Sequence, residues 1–156
     1  IHPHAEPILD IRVSDGQSPF FLHYDHQEVG QEPFGYIVEN RHTRAALQQA
    51  ASEYDTIHLL EGRSLAALER PPGHVRLTLD NGEVLEASLL IGADGKHSHT
   101  RALLNIATTG WDYAQTAIVC TIGHALPHHG LAQERFLPAG LFAVLPMQHH
   151  RSSVVW

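Results

Sequence analysis

The sequence has 156 residues, 43% hydrophobic and 17% charged, the composition of a folded globular chain rather than a disordered one. Ten Lys and Arg stand against seventeen Asp and Glu, a formal charge of -7 that excludes a broad phosphate-binding surface and with it a nucleic-acid partner. The single Cys120 excludes an internal disulfide, and no apolar run reaches the roughly 18 residues that span a bilayer, so a soluble, cytoplasmic chain from a reducing compartment is expected.

Ile8 to Val13 alternates apolar and polar residues, breaks at Asp15-Gly16, and resumes as Phe20 to Tyr24, which predicts two strands joined by a turn. A loop rich in Gly, Gln and Pro leads to a short extended piece, Gly35 to Val38. Ala45, Ala46, Leu47, Ala50 and Ala51 then recur at helical spacing, predicting a helix from Arg41 to Tyr54 with Asn40 as its cap. Strands are expected at Thr56 to Leu60, Val75 to Leu79 and Val84 to Ile91, the last two joined by the hairpin signal Asp80-Asn81-Gly82. Leu89-Leu90-Ile91 reads as a strand end buried on both faces, followed by a short helix from Ser98 to about Leu104. Strand-like composition returns at Thr116 to Ile122, Glu134 to Leu137, Leu141 to Leu145 and Ser152 to Trp156. The chain opens at Ile1, has its only methionine at Met147 and closes inside an apolar strand, so it reads as an excerpt of a longer one.

The strongest local feature is Gly92-Ala93-Asp94-Gly95-Lys96-His97-Ser98-His99-Thr100-Arg101. An apolar strand delivers the chain to a Gly-Ala-Asp-Gly loop and a helix starts at once, so free N–H groups at that helix start would face a ligand as an anion site. Asp94 can accept hydrogen bonds from a ribose or order the loop, and the glycines allow close approach or a positive φ. The bland alternative is an ordinary strand-turn-helix with Ser98 as cap.

The segment resembles the Asp-Gly motif of class A flavoprotein aromatic hydroxylases, through Gly92, Ala93, Asp94, Gly95, Ser98 and Arg101. Upstream, Gly35 to Arg41 followed by Ala45-Ala46-Leu47 is similar to the strand-to-helix segment of the ubiquinone-biosynthesis FAD-dependent hydroxylases, of the UbiH/UbiF or 2-octaprenyl-6-methoxyphenol hydroxylase type. Trp111 to Gln115, Arg135 to Gly140, Ala143 to Pro146 and Val154 to Trp156 resemble the same family in the same order. The family's Gly-x-Gly-x-x-Gly is absent from the twelve glycines, and its later Gly-Asp motif would lie beyond Trp156, so the resemblance covers an internal stretch.

The resemblance implies an α+β or α/β fold: part of a Rossmann-like FAD-binding domain, residues 35–109, plus part of a mixed substrate-domain sheet, residues 1–34 and 110–156. It implies FAD, with NAD(P)H as reductant, and oxygen transfer to the ring of a polyprenyl phenol. Asp94 and Gly95 would approach the flavin ribose and pyrophosphate, Arg101 would hold the loop or a phosphate, Ser98 belongs to the same motif, and Asn40 or the neighbouring Arg41 would reach toward the flavin. Lys96-His97-Ser98 departs from the commoner Arg-Asn-Ser, which weakens the expectation of nicotinamide contacts there. Phe136 and Leu145 would border the substrate pocket. No catalytic residue is expected, because the cofactor carries the chemistry. A lipidic substrate implies association with the periphery of the inner membrane or with a biosynthetic complex, and self-association to a homo-oligomer is a further expectation.

Two other readings stand beside this one: a reductase or halogenase of the same superfamily, or a stretch inert by itself that self-associates through strand edges. The fourteen histidines include the pairs His97 with His99, His128-His129 and His149-His150, but none has zinc-site spacing, so they read as solvated surface residues and no metal is expected. Ser98 lacks a nucleophile elbow, and Cys120 sits in an apolar run that reads as core. Trp111, Tyr113, Phe136 and Phe142 are either pocket aromatics or plain sheet packing.

Overall fold

The structure, a computed structural model, describes residues 2–156. In chain order its elements are β1 (Ala5–Ile8), β2 (Asp10–Asp15), β3 (Phe21–Asp25), β4 (Gly35–Val38), α1 (Asn40–Ser52), β5 (Leu65–Glu69), β6 (Val75–Leu79), β7 (Val84–Ala87), α2 (His99–Leu103), β8 (Val119–Gly123), β9 (Leu131–Leu137), β10 (Gly140–Met147) and β11 (Arg151–Val155), with short 3-10 turns at His2–His4 and His26–Glu28. They form two compact units, one of residues up to Asp55 together with Ala114–Trp156, the other of Thr56–Tyr113.

The first unit holds a six-stranded sheet in the order β3-β2-β9-β10-β11-β8 and a two-stranded sheet, β1-β4. Every neighbouring pair is antiparallel except β2 with β9, which run parallel from Asp10 opposite Leu131 to Asp15 opposite Phe136. Pro138-Ala139 closes the β9–β10 hairpin, where Leu137 faces Gly140 in left-handed backbone at φ 125°. Burial concentrates in the middle strands: Ala132, Ala143, Pro146, Met147, Ser152 and Val154 are buried, while β3 and β8 lie at the edges. Because both faces of β10 are covered near its end, it reads as a continuous apolar run rather than an alternating one.

The second unit is an antiparallel sheet, β5-β6-β7, followed by α2. The Asp80-Asn81-Gly82 turn forms as expected: Gly82 has φ 84°, the Leu79 amide donates to the Glu83 carbonyl, and Val84 faces Thr78.

Several expectations are corrected. Thr56 to Leu60 forms no strand, and Leu89-Leu90-Ile91 is neither strand nor core, with Leu89 72% and Ile91 77% exposed. A strand exists only where its backbone finds a partner, and the three-stranded sheet completes itself with β5 instead. The cap of α1 is Glu39, which makes no side-chain capping bond, so Asn40 is the first helical residue and caps nothing. Cys120 is exposed on the edge strand β8 rather than packed in a core. The histidines are not uniformly solvated either. His26 contacts the Leu9 carbonyl, His124 contacts Ser152 Oγ, and His128 contacts the Met147 carbonyl, each partly buried.

Candidate functional site

In the second unit, Ser88 to Ile91 leads out of β7 into the Gly92–Gly95 loop, and Ser98 caps α2. The Ser98 hydroxyl donates to Asp94 Oδ1 at 2.6 Å, and the Thr100 amide donates to Oδ2 at 2.9 Å. Ser98 Oγ in turn accepts from the Arg101 amide at 3.0 Å. Arg101 Nη2 donates to the Lys96 carbonyl at 2.7 Å, so its guanidinium holds the loop. Asp94, Ser98 and Arg101 therefore form one knot.

This knot corrects the expectation of an anion site at the start of α2. The helix has only five residues, and three of its early amides are already engaged, those of Thr100 and Arg101 by Asp94 and Ser98 side chains and that of Ala102 by the Ser98 carbonyl. The carboxylate of Asp94 stands where an external anion would. The Ser98 hydroxyl first, then the Thr100 amide, hold the Asp94 carboxyl far below the usual carboxylate range. It is ionised at every ordinary pH.

The two glycines serve different purposes. A side chain on Gly92 would press against Thr100, whose Cγ2 would lie 3.2 Å from the new carbon, so Gly92 lets the loop fold onto α2. Gly95 has φ 85° and nothing within 4 Å of where a side chain would start, leaving bare backbone open to a ligand. Beside them lies a cleft of about 520 Å³ lined by Leu68, Val75, Leu90, Thr100, Arg101 and Leu104. Bare backbone, an ionised carboxylate with lone pairs left over, and a partly apolar cleft suit a ribose-bearing ligand with a flat apolar part.

The remaining predicted residues belong to the first unit. Asn40 is exposed in the first turn of α1. Next to it, Glu39 accepts from Arg151 Nη2 at 2.7 Å and from Arg41 Nη2 at 3.2 Å, and the Arg151 hydrogen bond above all lowers its carboxyl. Phe136 and Leu145 share one face of the large sheet, since Phe136 faces Leu141 across the β9–β10 ladder and Leu145 lies four residues on. Phe136 borders an apolar groove with Phe20 and Leu22, but Leu145 does not. Phe142 points to the opposite face of the same sheet from Phe136, and Trp111 and Tyr113 are exposed residues of the second unit.

Sequence reasoning missed a cavity of about 410 Å³ on that opposite face, where Arg12, Gln133, Arg135, Phe142, Val144 and Trp156 meet. The Arg12 guanidinium lies 4.7 Å from the Phe21 ring centroid, and its Nε is buried with no hydrogen-bond partner. The signal that could have found it is the alternation itself, which puts Arg12 and Ser14 on the face of β2 opposite Ile11 and Val13. Among the described residues no group of three or more His, Cys, Asp or Glu side chains is placed to hold a metal.

No protein-family model matches the chain. It is 47% identical over 152 residues, 97% of its length, to ubiquinone hydroxylase UbiL of Rhodospirillum rubrum, of which it covers 35%. To ubiquinone hydroxylase UbiM of Neisseria meningitidis it is 31% identical over 153 residues, covering 96% of this chain and 33% of that protein. Its fold matches that of PqsL, a probable FAD-dependent monooxygenase from Pseudomonas aeruginosa, with a TM-score of 0.85 at 18% identity over 97% of this chain and 43% of PqsL. The chain thus spans about a third of the length of its curated relatives. Over the stretch that it spans, the chain belongs to the ubiquinone-biosynthesis hydroxylases and has the fold of FAD-dependent monooxygenases.

Proposed function

We propose that the whole protein is an FAD-dependent monooxygenase that hydroxylates the aromatic ring of a polyprenyl phenol in ubiquinone biosynthesis, using NAD(P)H and O2. The observation that carries this reading is the 47% identity to a ubiquinone hydroxylase across nearly the whole chain. The Asp94 loop supports it from the side of chemistry. Bound FAD would supply the oxygen chemistry, and the residues here would bind and orient it.

In this reading Asp94 accepts from a ribose hydroxyl while its other lone pairs keep the loop closed, and Gly95 lets the backbone approach the ligand. Ser98 and Arg101 hold that loop in shape, and Asn40 offers an amide from the first turn of α1. Asp94 carries no proton at working pH, so it binds and does not transfer. Residues 35–109 belong to the flavin side. Residues 1–34 and 110–156 form substrate-side sheet, with the apolar groove beside Phe136 receiving the prenyl chain and Leu145 supporting the same face. Among the described residues no helix is long and apolar enough to cross a membrane. In this reading a lipidic substrate is reached through attachment at the periphery of the inner membrane or within a biosynthetic complex.

The test is flavin binding. A protein spanning the relatives' full length, titrated with FAD and followed by quenching of flavin fluorescence, is expected to bind and to weaken on Asp94→Ala. Absence of flavin binding at saturation in that protein would overturn the reading. Turnover of a prenyl phenol with NAD(P)H would then separate ring hydroxylation from other flavin chemistry.

A further inference from the structure

The first turn of α1 has no side-chain cap. Its N-cap residue, Glu39, turns its carboxylate away to Arg151 and Arg41 instead of to the helix amides. Two lateral contacts to other elements stand out at this turn. One is the Glu39–Arg151 ion pair. The other is a ring stack: His4 and His42 lie 3.9 Å apart, centroid to centroid, with their planes within 6° of parallel.

Both partners of that stack sit on fixed backbone. Ala5 pairs with Val38 in the β1–β4 ladder, which brings His4 level with the start of α1. Gln148 Nε2 donates to the carbonyls of Pro3 and Ala5, clamping the chain on either side of His4. His42 is the third residue of the helix, and its amide donates to the Glu39 carbonyl at 2.9 Å.

Consider the charges that face this pair. His42 meets His4 from the 3-10 turn, Arg41 from its own helix, Arg151 from β11, and Glu39 from the cap. Tyr36 of β4 lies against the ring of His2, two residues before His4. Glu39 is the negative group among those named here, and two guanidiniums already share it. One proton on the pair is tolerable, since an imidazolium over a neutral ring is an attractive stack. A second puts two like charges face to face, beside two arginines and at the positive end of a helix. Burial first, then the charge on His4, hold the His42 imidazole below its ordinary value.

We propose that the His4–His42 stack is an acid-operated latch on the first turn of α1, closed while the pair carries at most one proton and opened when the second enters. The latch lies beside Asn40 but needs no flavin, so it stands whether or not that residue contacts a cofactor.

NMR of the full-length protein, without added ligand, tests this. The His42 ring would be titrated while the amides of His42, Thr43 and Arg44 are followed. The expected result is that these amides shift together with the ring, with a midpoint below the ordinary imidazole range. An opening that takes up one proton would change by up to about tenfold per pH unit. In His4→Phe the stack keeps its shape and loses one titrating group, so the His42 midpoint should rise and the amide response vanish. His42→Phe should likewise leave the first turn indifferent to pH. If the amides stay still while the His42 ring titrates, or if either variant opens as the parent does, the latch is wrong.

Discussion

Gly130 begins the segment that sets the parallel register of β2 on β9, and alanine there should be costly for a reason that can be separated into parts. The residue has φ 71°, a left-handed backbone that costs a residue with a side chain about 1 kcal/mol. A side-chain carbon at Gly130 would also stand 2.8 Å from Leu9 Cγ, 3.1 Å from Leu9 Cδ1 and 3.1 Å from the Pro7 carbonyl. Rotating Leu9 clears two of those contacts but leaves the backbone carbonyl, so overpacking adds about 2 kcal/mol. Gly16, at the end of β2, isolates the first part: its φ is 51°, and the nearest atom, the Phe136 carbonyl oxygen, is 4.0 Å away. Gly16→Ala should therefore cost about 1 kcal/mol and Gly130→Ala about 3 kcal/mol. Hydrogen exchange at the β2 and β9 amides reads the sheet directly, and the difference between the variants should be about thirtyfold in protection. Equal losses in the two variants would refute the steric account of Gly130 and leave only backbone conformation.

Three further outcomes follow from the site and the sheet. Ser98→Ala removes the cap of α2 and one of the two groups holding Asp94, so exchange at the Arg101 amide should quicken by about fivefold. Asp94 has a depressed carboxyl, so its contribution is fully present above the unfolded carboxylate value and lost only as pH falls through the lower folded one; protection of the Thr100 amide should stay level from neutral pH down to about pH 4 and fall in stronger acid. Cys120 should react with a thiol reagent in the native chain as fast as in the denatured one, and a requirement for denaturant would contradict its exposed position on β8.

What was legible in the sequence was whatever local chemistry determines. Asp80-Asn81-Gly82 could be read because a tight turn needs positive φ, and Ser98 because a hydroxyl before a helix finds an amide. The strands β9, β10 and β11 were found within a few residues because turn residues separate them. Most of the failures depend on which ladder partner a segment finds. Leu65–Glu69 is rich in alanine and leucine, yet it is a strand because β6 offers a ladder, with a bulge between Leu65 and Ala67. Leu89-Leu90-Ile91 has the composition of a central strand but no ladder among the described residues. The pairing of Asp10 with Leu131 spans most of the chain, and no local pattern announces it. Asn40 was read as a cap because its type suits the role, whereas the backbone places the helix start one residue earlier.

The candidate site shows the same division at the level of single groups. Its residues were legible as a motif, but their hydrogen bonds were not. Both acidic side chains that stand out in the structure are committed internally: Asp94 to Ser98 and Thr100, Glu39 to Arg151 and Arg41. Each is held more acidic than usual by donors that favour the ionised form. A carboxylate in that condition carries no proton near neutral pH and so does not serve there as a general acid. On the reading proposed above, these two carboxylates serve to position their neighbours and not to donate protons. It follows that neutralising Asp94 should reduce flavin affinity while leaving the pH profile of the bound enzyme's turnover in place. A profile that shifted with that substitution would assign Asp94 a proton, and the positioning role would fail.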